Sequence, residues 1–163
     1  MNREEERVIE WDCQKTMRQY YDYVDHRDFE SAANLFTEDI DWMSHGVALH
    51  GRKELRDGLQ AALGEGTIRH VLSNTVVNVI DEDNAELNEY HTLYYSADAE
   101  YETADGPIAF EGPHRIIDCF AALRRTPEGW RIAKRRAPII FRRNPGEPVR
   151  LETWGKKEGK ITK

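Results

Sequence analysis

Asp25 and His70, far apart in the sequence, are the two residues on which chemistry could rest. A carboxylate that accepts from one imidazole nitrogen fixes the tautomer and leaves the other nitrogen as a general base. The pair carries this argument, because each residue alone has a plainer reading. Asp25 closes an apolar helical stripe one residue after Val24, where the helix dipole disfavours negative charge, yet it also fits a solvated cluster with Asp22, His26, Arg27 and Asp28. His70 lies in Arg69-His70-Val71-Leu72-Ser73-Asn74 and shares strand parity with Leu72 and Asn74, which equally suits a residue at the rim of a core.

Around this pair stand residues that could move a second proton or hold a substrate. Tyr21 precedes Asp25 by four residues and shares its helix face, with Tyr20 beside it. His91, in Glu89-Tyr90-His91-Thr92-Leu93-Tyr94-Tyr95, has the parity of Ala85, Leu87 and Leu93; it reads as a proton carrier or as a hydrogen-bonded core residue. Trp42 and Tyr95 could stack on a flat substrate or fill a core, and Asn74 shares the face of His70. Asp41, His45 and His50 offer metal-ligand atoms only at irregular spacing. Phosphate loops, dinucleotide fingerprints, zinc-helix motifs, serine elbows and Cys/His clusters are all absent from the sequence. The expectation is proton transfer without metal, flavin or nicotinamide.

Such residues need elements to position them. The spacing of Ile9, Cys13, Met17, Tyr20/Tyr21 and Val24 predicts a helix over 3–26. Asp28 is the expected N-cap of a second, short helix burying Phe29, Ala33 and Phe36, and Leu55, Leu59, Ala62 and Leu63 predict a third that stops at Gly64 and Gly66. Short strands are expected at 39–43 and 47–50. Segments 68–80, 85–97, 107–125 and 129–141 are rich in Val, Ile, Tyr, Phe and Thr and read as long strands separated by turn residues. Helices followed by a meander imply an α+β fold, a cone-shaped curved antiparallel sheet covered by three N-terminal helices and enclosing a pocket.

The 163 residues suffice for one domain, taken as 1–143, with 144–163 as an extended C-terminal tail. That tail is basic: residues 142–163 hold seven Lys/Arg against three Glu, on a body with 16 basic and 27 acidic residues. A basic tail with one aromatic, Trp154, on an acidic body argues against a nucleic-acid partner. No apolar run is long enough to cross a bilayer and the N-terminus lacks a signal-type stretch, so a cytoplasmic address is expected. Cys13 and Cys119 show no ligand or redox spacing and read as buried, inert thiols.

Four pieces taken together resemble a known family: Tyr21-x-x-Val24-Asp25-x-Arg27-Asp28-Phe29, Leu35-Phe-Thr-Glu-Asp39-Ile-Asp-Trp42, Arg69-His70-Val-Leu-Ser-Asn74 and Glu128-Gly129-Trp130-Arg131-Ile132. The chain resembles, over about residues 5–141, the SnoaL-like branch of the nuclear-transport-factor-like superfamily, whose members include scytalone dehydratase, hexachlorocyclohexane dehydrochlorinase and bile-acid dehydratase. The resemblance implies that Asp25 and His70 form a catalytic dyad, with Tyr20 matching a tyrosine of the bile-acid enzyme. Val24 and Trp42 stand where scytalone dehydratase has tyrosines, which argues against scytalone as substrate. Ala121 falls where polyketide cyclases of the branch have an Asp, and Asp118 could serve only through a bulge.

The resulting expectation is a cofactor-independent lyase, dehydratase-like, acting on an apolar or aromatic small molecule. Isomerisation, cyclisation or carbon–carbon cleavage could run on the same groups. The alternative from another class is the non-catalytic β subunit of a ring-hydroxylating dioxygenase, which shares two of the pieces. Apolar residues on both faces of the late strands, including Ile116, Ile117, Phe120, Ile139, Ile140 and Phe141, predict a homo-oligomer, a homotrimer or homodimer, with the tail as a lid or strap.

Overall fold

A computed structural model describes residues 1–44, 46–63, 65–97, 105–108 and 112–143. The tail, residues 144–163, and His45 lie outside the described residues. The first helix, α1 (Arg3–Asp25), starts at a capping box: Asn2 Oδ1 accepts from the Glu4 and Glu5 amides, and the Glu5 carboxylate accepts from the Asn2 amide at 2.7 Å. Its stripe Ile9, Cys13, Met17, Tyr20/Tyr21, Val24 is buried as the spacing requires. Asp28 caps α2 (Phe29–Asn34), accepting from the Ser31 amide at 3.0 Å. Phe36 does not belong to that helix. It is fully buried as the first residue of β1 (Phe36–Ser44), which pairs with β2 (Val47–His50) ahead of α3 (Gly51–Leu63).

The remaining strands are β3 (Thr67–Val79), β4 (Asn84–Ser96), β5 (Arg115–Thr126), β6 (Gly129–Ala137) and β7 (Ile139–Arg142). They join β1 and β2 in one sheet of order β2-β1-β6-β5-β4-β3, with β7 also paired to β5. The sheet is antiparallel except at one seam, where β1 runs parallel to β6 and Asp41 meets Lys134. Two expected strands change in extent. The strand expected from 107 begins at Arg115, and the one expected over 129–141 breaks at Pro138, whose ring nitrogen has no hydrogen for the ladder. The Pro138 carbonyl instead accepts from Asp118 at 3.1 Å, and β7 continues along the first residues of β5 that β6 leaves unpaired.

The helices cover one face of this α+β sheet. Cys13, Met17, Tyr21 and Val24 of α1 share a core with Leu87, Ile117, Cys119, Ala121 and Leu123 of β4 and β5, and with Trp130 and Ile132 of β6. On the opposite face Val71, Val76 and Tyr90 are exposed. The start of β3 passes so close to the end of β4 that a Cβ on Gly66, at φ +74, would stand 2.3 Å from the Ser96 carbonyl oxygen. No helix among the described residues is long and apolar enough to cross a membrane.

Candidate active site

Asp25 is the last residue of α1, and β3 passes directly beneath it. Its carboxylate grips His70 twice: Oδ2 accepts from the His70 backbone amide at 2.8 Å and Oδ1 from Nδ1 at 2.6 Å. Because a carboxylate can only accept, the proton sits on Nδ1 and the His70 Nε2 carries the free lone pair. Both side chains are about nine-tenths buried. The helix end tolerates this charge because Arg69 Nη1 donates to the Asp25 carbonyl at 3.1 Å and Arg27 donates to the Gly66 carbonyl, placing cations where the dipole is negative.

One turn earlier, the Tyr21 ring lies 4.7 Å from the His70 ring and the same distance from that of His91. The Tyr21 hydroxyl accepts from Arg135 Nη2 at 2.8 Å and is hydrogen-bonded to His91 Nε2 at 2.9 Å. Arg135 is buried inside an aromatic cage, its guanidinium carbon 5.4 Å from the Tyr20 ring centre and 5.7 Å from those of Tyr21 and Trp42. Burial pushes the Tyr20 and Tyr21 phenols up from their ordinary range, and the Arg135 charge only partly offsets this, so both are neutral at pH 7.

Glu89, beside His91 on the inner face of β4, is buried as well. Its Oε2 accepts from Thr75 Oγ1 at 3.4 Å, and its Oε1 lies 3.8 Å from His91 Nε2. Burial pushes its carboxyl up to about 7, against the opposing pull of Arg135, the Thr75 hydrogen bond and Arg18. Glu89, His91 and Cys119 bring three metal-ligand atoms within 4.8 Å of one another. The Tyr21 hydroxyl reaches into that group, 3.8 Å from the Cys119 sulfur, and the positive charge there is Arg135's own. Cys13 and Cys119 are free and buried, and burial pushes the Cys13 thiol up to about 12.

The structure therefore brings Asp25, His70, Tyr21 and His91 into one contact group, with Tyr20 and Trp42 one layer away around Arg135. Asn74 is not part of it. A bulge between Ser73 and Val76 puts Asn74 in the left-handed region at φ 52 and leaves it exposed, and Thr75 takes the inward position that parity assigns to Asn74. Tyr95 stands further toward the β3–β4 end, its ring 5.8 Å from that of His114. Ala121 is buried on the inner face, while Asp118 has the opposite parity on β5. Asp41 is paired with Arg136, and His50, its cross-strand neighbour, is exposed.

The SnoaL-like domain matches residues 8–136. The chain belongs to that family. No curated protein matches it by sequence. Among solved structures, this SnoaL-like chain is similar to a candidate scytalone dehydratase from Novosphingobium aromaticivorans, with 16% identity over 90% of this chain and 93% of that one and a TM-score of 0.74. It is similar to an NTF2-like protein with a cystatin-like fold from the same organism, with 21% identity, 92% of each chain covered and a TM-score of 0.66. A candidate dehydratase of the NTF2-like family from Streptomyces avermitilis gives 18% identity over 82% and 97% of the chains at a TM-score of 0.67. At these identities the likenesses show the fold.

Two residues buried in this polar group were not singled out in the sequence. Glu89 carried a signal, since its parity is that of Leu87, His91 and Leu93 and a carboxylate on an apolar face is costly unless used. Arg135 carried none. Counting inward positions by two from Trp130 and Ile132 reaches Lys134, and only the irregularity in the β5–β6 pairing turns Arg135 inward.

Proposed function

We propose that this SnoaL-like protein is a cofactor-independent lyase, dehydratase-like in mechanism, acting on an apolar or aromatic small molecule. The observation that supports this reading is the double grip of Asp25 on His70, which spends both carboxylate oxygens on fixing one imidazole with Nε2 unencumbered. In the proposed reaction His70 Nε2 takes a proton from carbon beside an electron-withdrawing group. Tyr21 is the adjoining neutral acid: its proton passes to the departing oxygen, which leaves as water, while Arg135, donating to the Tyr21 oxygen, stabilises the phenolate left behind and His91 holds that oxygen in place. Asp25 then stabilises the imidazolium it has oriented.

The test is elimination from a panel of aromatic β-hydroxy carbonyl compounds, followed by loss of the hydroxyl and by exchange of the adjacent proton with deuterium. His70→Ala and Asp25→Asn are each expected to lose roughly 10²- to 10⁴-fold in turnover while keeping the wild-type circular dichroism spectrum. Turnover at the wild-type rate in both variants overturns the dyad reading, and failure of the wild type to turn over any member of the panel leaves that of a non-catalytic subunit of a larger oxygenase.

A further inference from the structure

Cross-strand partners in the sheet place four residues in one row on the helix-covered face. His70 of β3 pairs with Leu93 of β4, Leu93 with Arg115 of β5, and Arg115 with Arg142 of β7. Residues directly opposite each other point to the same side, so both arginines share the face of His70. At the ordinary strand spacing, Arg115 stands about 10 Å and Arg142 about 15 Å along the sheet from His70. Leu93 is buried between them, and the adjoining row continues with Leu72, His91, Ile117 and Ile139.

Two guanidinium groups directly opposite each other on adjacent strands repel, and water relieves this only in part here. Each Nε is buried with no acceptor, and no carboxylate among the described residues pairs with either side chain. Burial lowers the Arg115 pKa and the facing Arg142 lowers it again, the Tyr95 phenol alone acting in the other direction. A guanidinium presents a planar fork that matches a carboxylate or a phosphate, so two neighbouring forks without a counter-charge among the described residues have the chemistry of an anion seat.

We propose that Arg115 and Arg142 form a subsite for a carboxylate or phosphate group at the far end of the substrate, so that the substrate is an organic anion with an apolar body. The inference rests on the proposed lyase reading for the position of the reacting end at His70. The apolar body would lie along Leu93 and Tyr95, and the anionic group would fix which carbon meets Nε2.

Isothermal titration calorimetry of the full chain with 2-naphthoate and with neutral 2-naphthamide tests the subsite directly. The acid is expected to bind at least roughly tenfold more tightly than the amide, and the preference to shrink below about threefold in Arg115→Gln and in Arg142→Gln. Arg56→Gln, which removes the same charge from a half-exposed α3 arginine paired with Glu30 and Asp57, is expected to keep the full preference. Thermal melting controls for folding: 2-naphthoate and inorganic phosphate should each raise the wild-type midpoint and leave that of both arginine variants unmoved. His70→Ala is expected to bind 2-naphthoate as the wild type does, so loss of turnover in that variant bears on the lyase reading and not on the subsite. Equal binding of acid and amide, no binding of either, or a preference that survives both arginine substitutions overturns the subsite.

Discussion

Burial and the Arg135 guanidinium pull Glu89 in opposite directions, and burial wins, holding its carboxyl at about 7 against 4.5 in the unfolded chain. Between those two values the folded protein keeps a proton that the unfolded chain has released. Stability therefore falls as pH rises from about 4.5 through about 7, by an amount on the order of 3 kcal/mol. Glu89→Gln is expected to flatten that part of the profile, read from urea unfolding at pH 5 and pH 8. A slope identical to the wild type's would show that Glu89 does not titrate there. Tyr21 separates from Tyr20 on the same scale, because only its hydroxyl touches both Arg135 and His91. Tyr21→Phe is expected to lower kcat by about 10²-fold with KM little changed, and Tyr20→Phe by less than about tenfold.

At the level of elements, the site depends on how closely the start of β3 approaches the end of β4. Gly66→Ala would force a Cβ onto the Ser96 carbonyl in a left-handed backbone, and is expected to cost at least about 2 kcal/mol in a denaturant titration. The same change shifts the carbonyl that receives Arg27, and with it the α1 end that carries Asp25. Element identity was legible because period-3.6 and period-2 patterns are set by burial on one face: the α1 stripe and the β4 alternation both read directly from sequence. Positions next to irregularities were not legible. The bulge after Ser73 exchanges Asn74 for Thr75, the slip before Arg135 turns a basic residue inward, and Pro138 divides one apparent strand into two partners for β5. A bulge depends on long-range pairing, so neither of its two strands announces it locally. Asp25 and His70 escaped this difficulty because each precedes any irregularity in its own element.

For the molecule as a whole, the uncovered face of the sheet and the exposed residues of β7 set the expectation for assembly. Val71, Val76 and Tyr90 on β3 and β4, with Ile140 and Phe141 on β7, are all exposed. Apolar area of this kind is what a self-complementary contact removes from water. Sedimentation at micromolar concentration is expected to give a trimer or a dimer, and Val71→Lys combined with Tyr90→Lys to give a species near the 19.0 kDa of a single chain. A wild-type chain that sediments as a monomer would reject the oligomer.

The parallel seam also governs when the protein can form. β1, made early, pairs along one edge with β2 but finds its second neighbour only in β6, so the other edge of Asp41 must wait for Lys134. A pairing this distant in sequence raises the contact order and slows folding, because the entropy of a long loop is lost before its contacts form. During synthesis at roughly 5–20 residues per second, the emerging chain holds α1 and β1 for several seconds before β6 exists. Throughout that interval the aromatic stripe of α1 and the unpaired edge of β1 are open to other chains. Refolding is thus expected to be slow and concentration-sensitive, with chaperone dependence concentrated in the nascent chain before the last strands emerge.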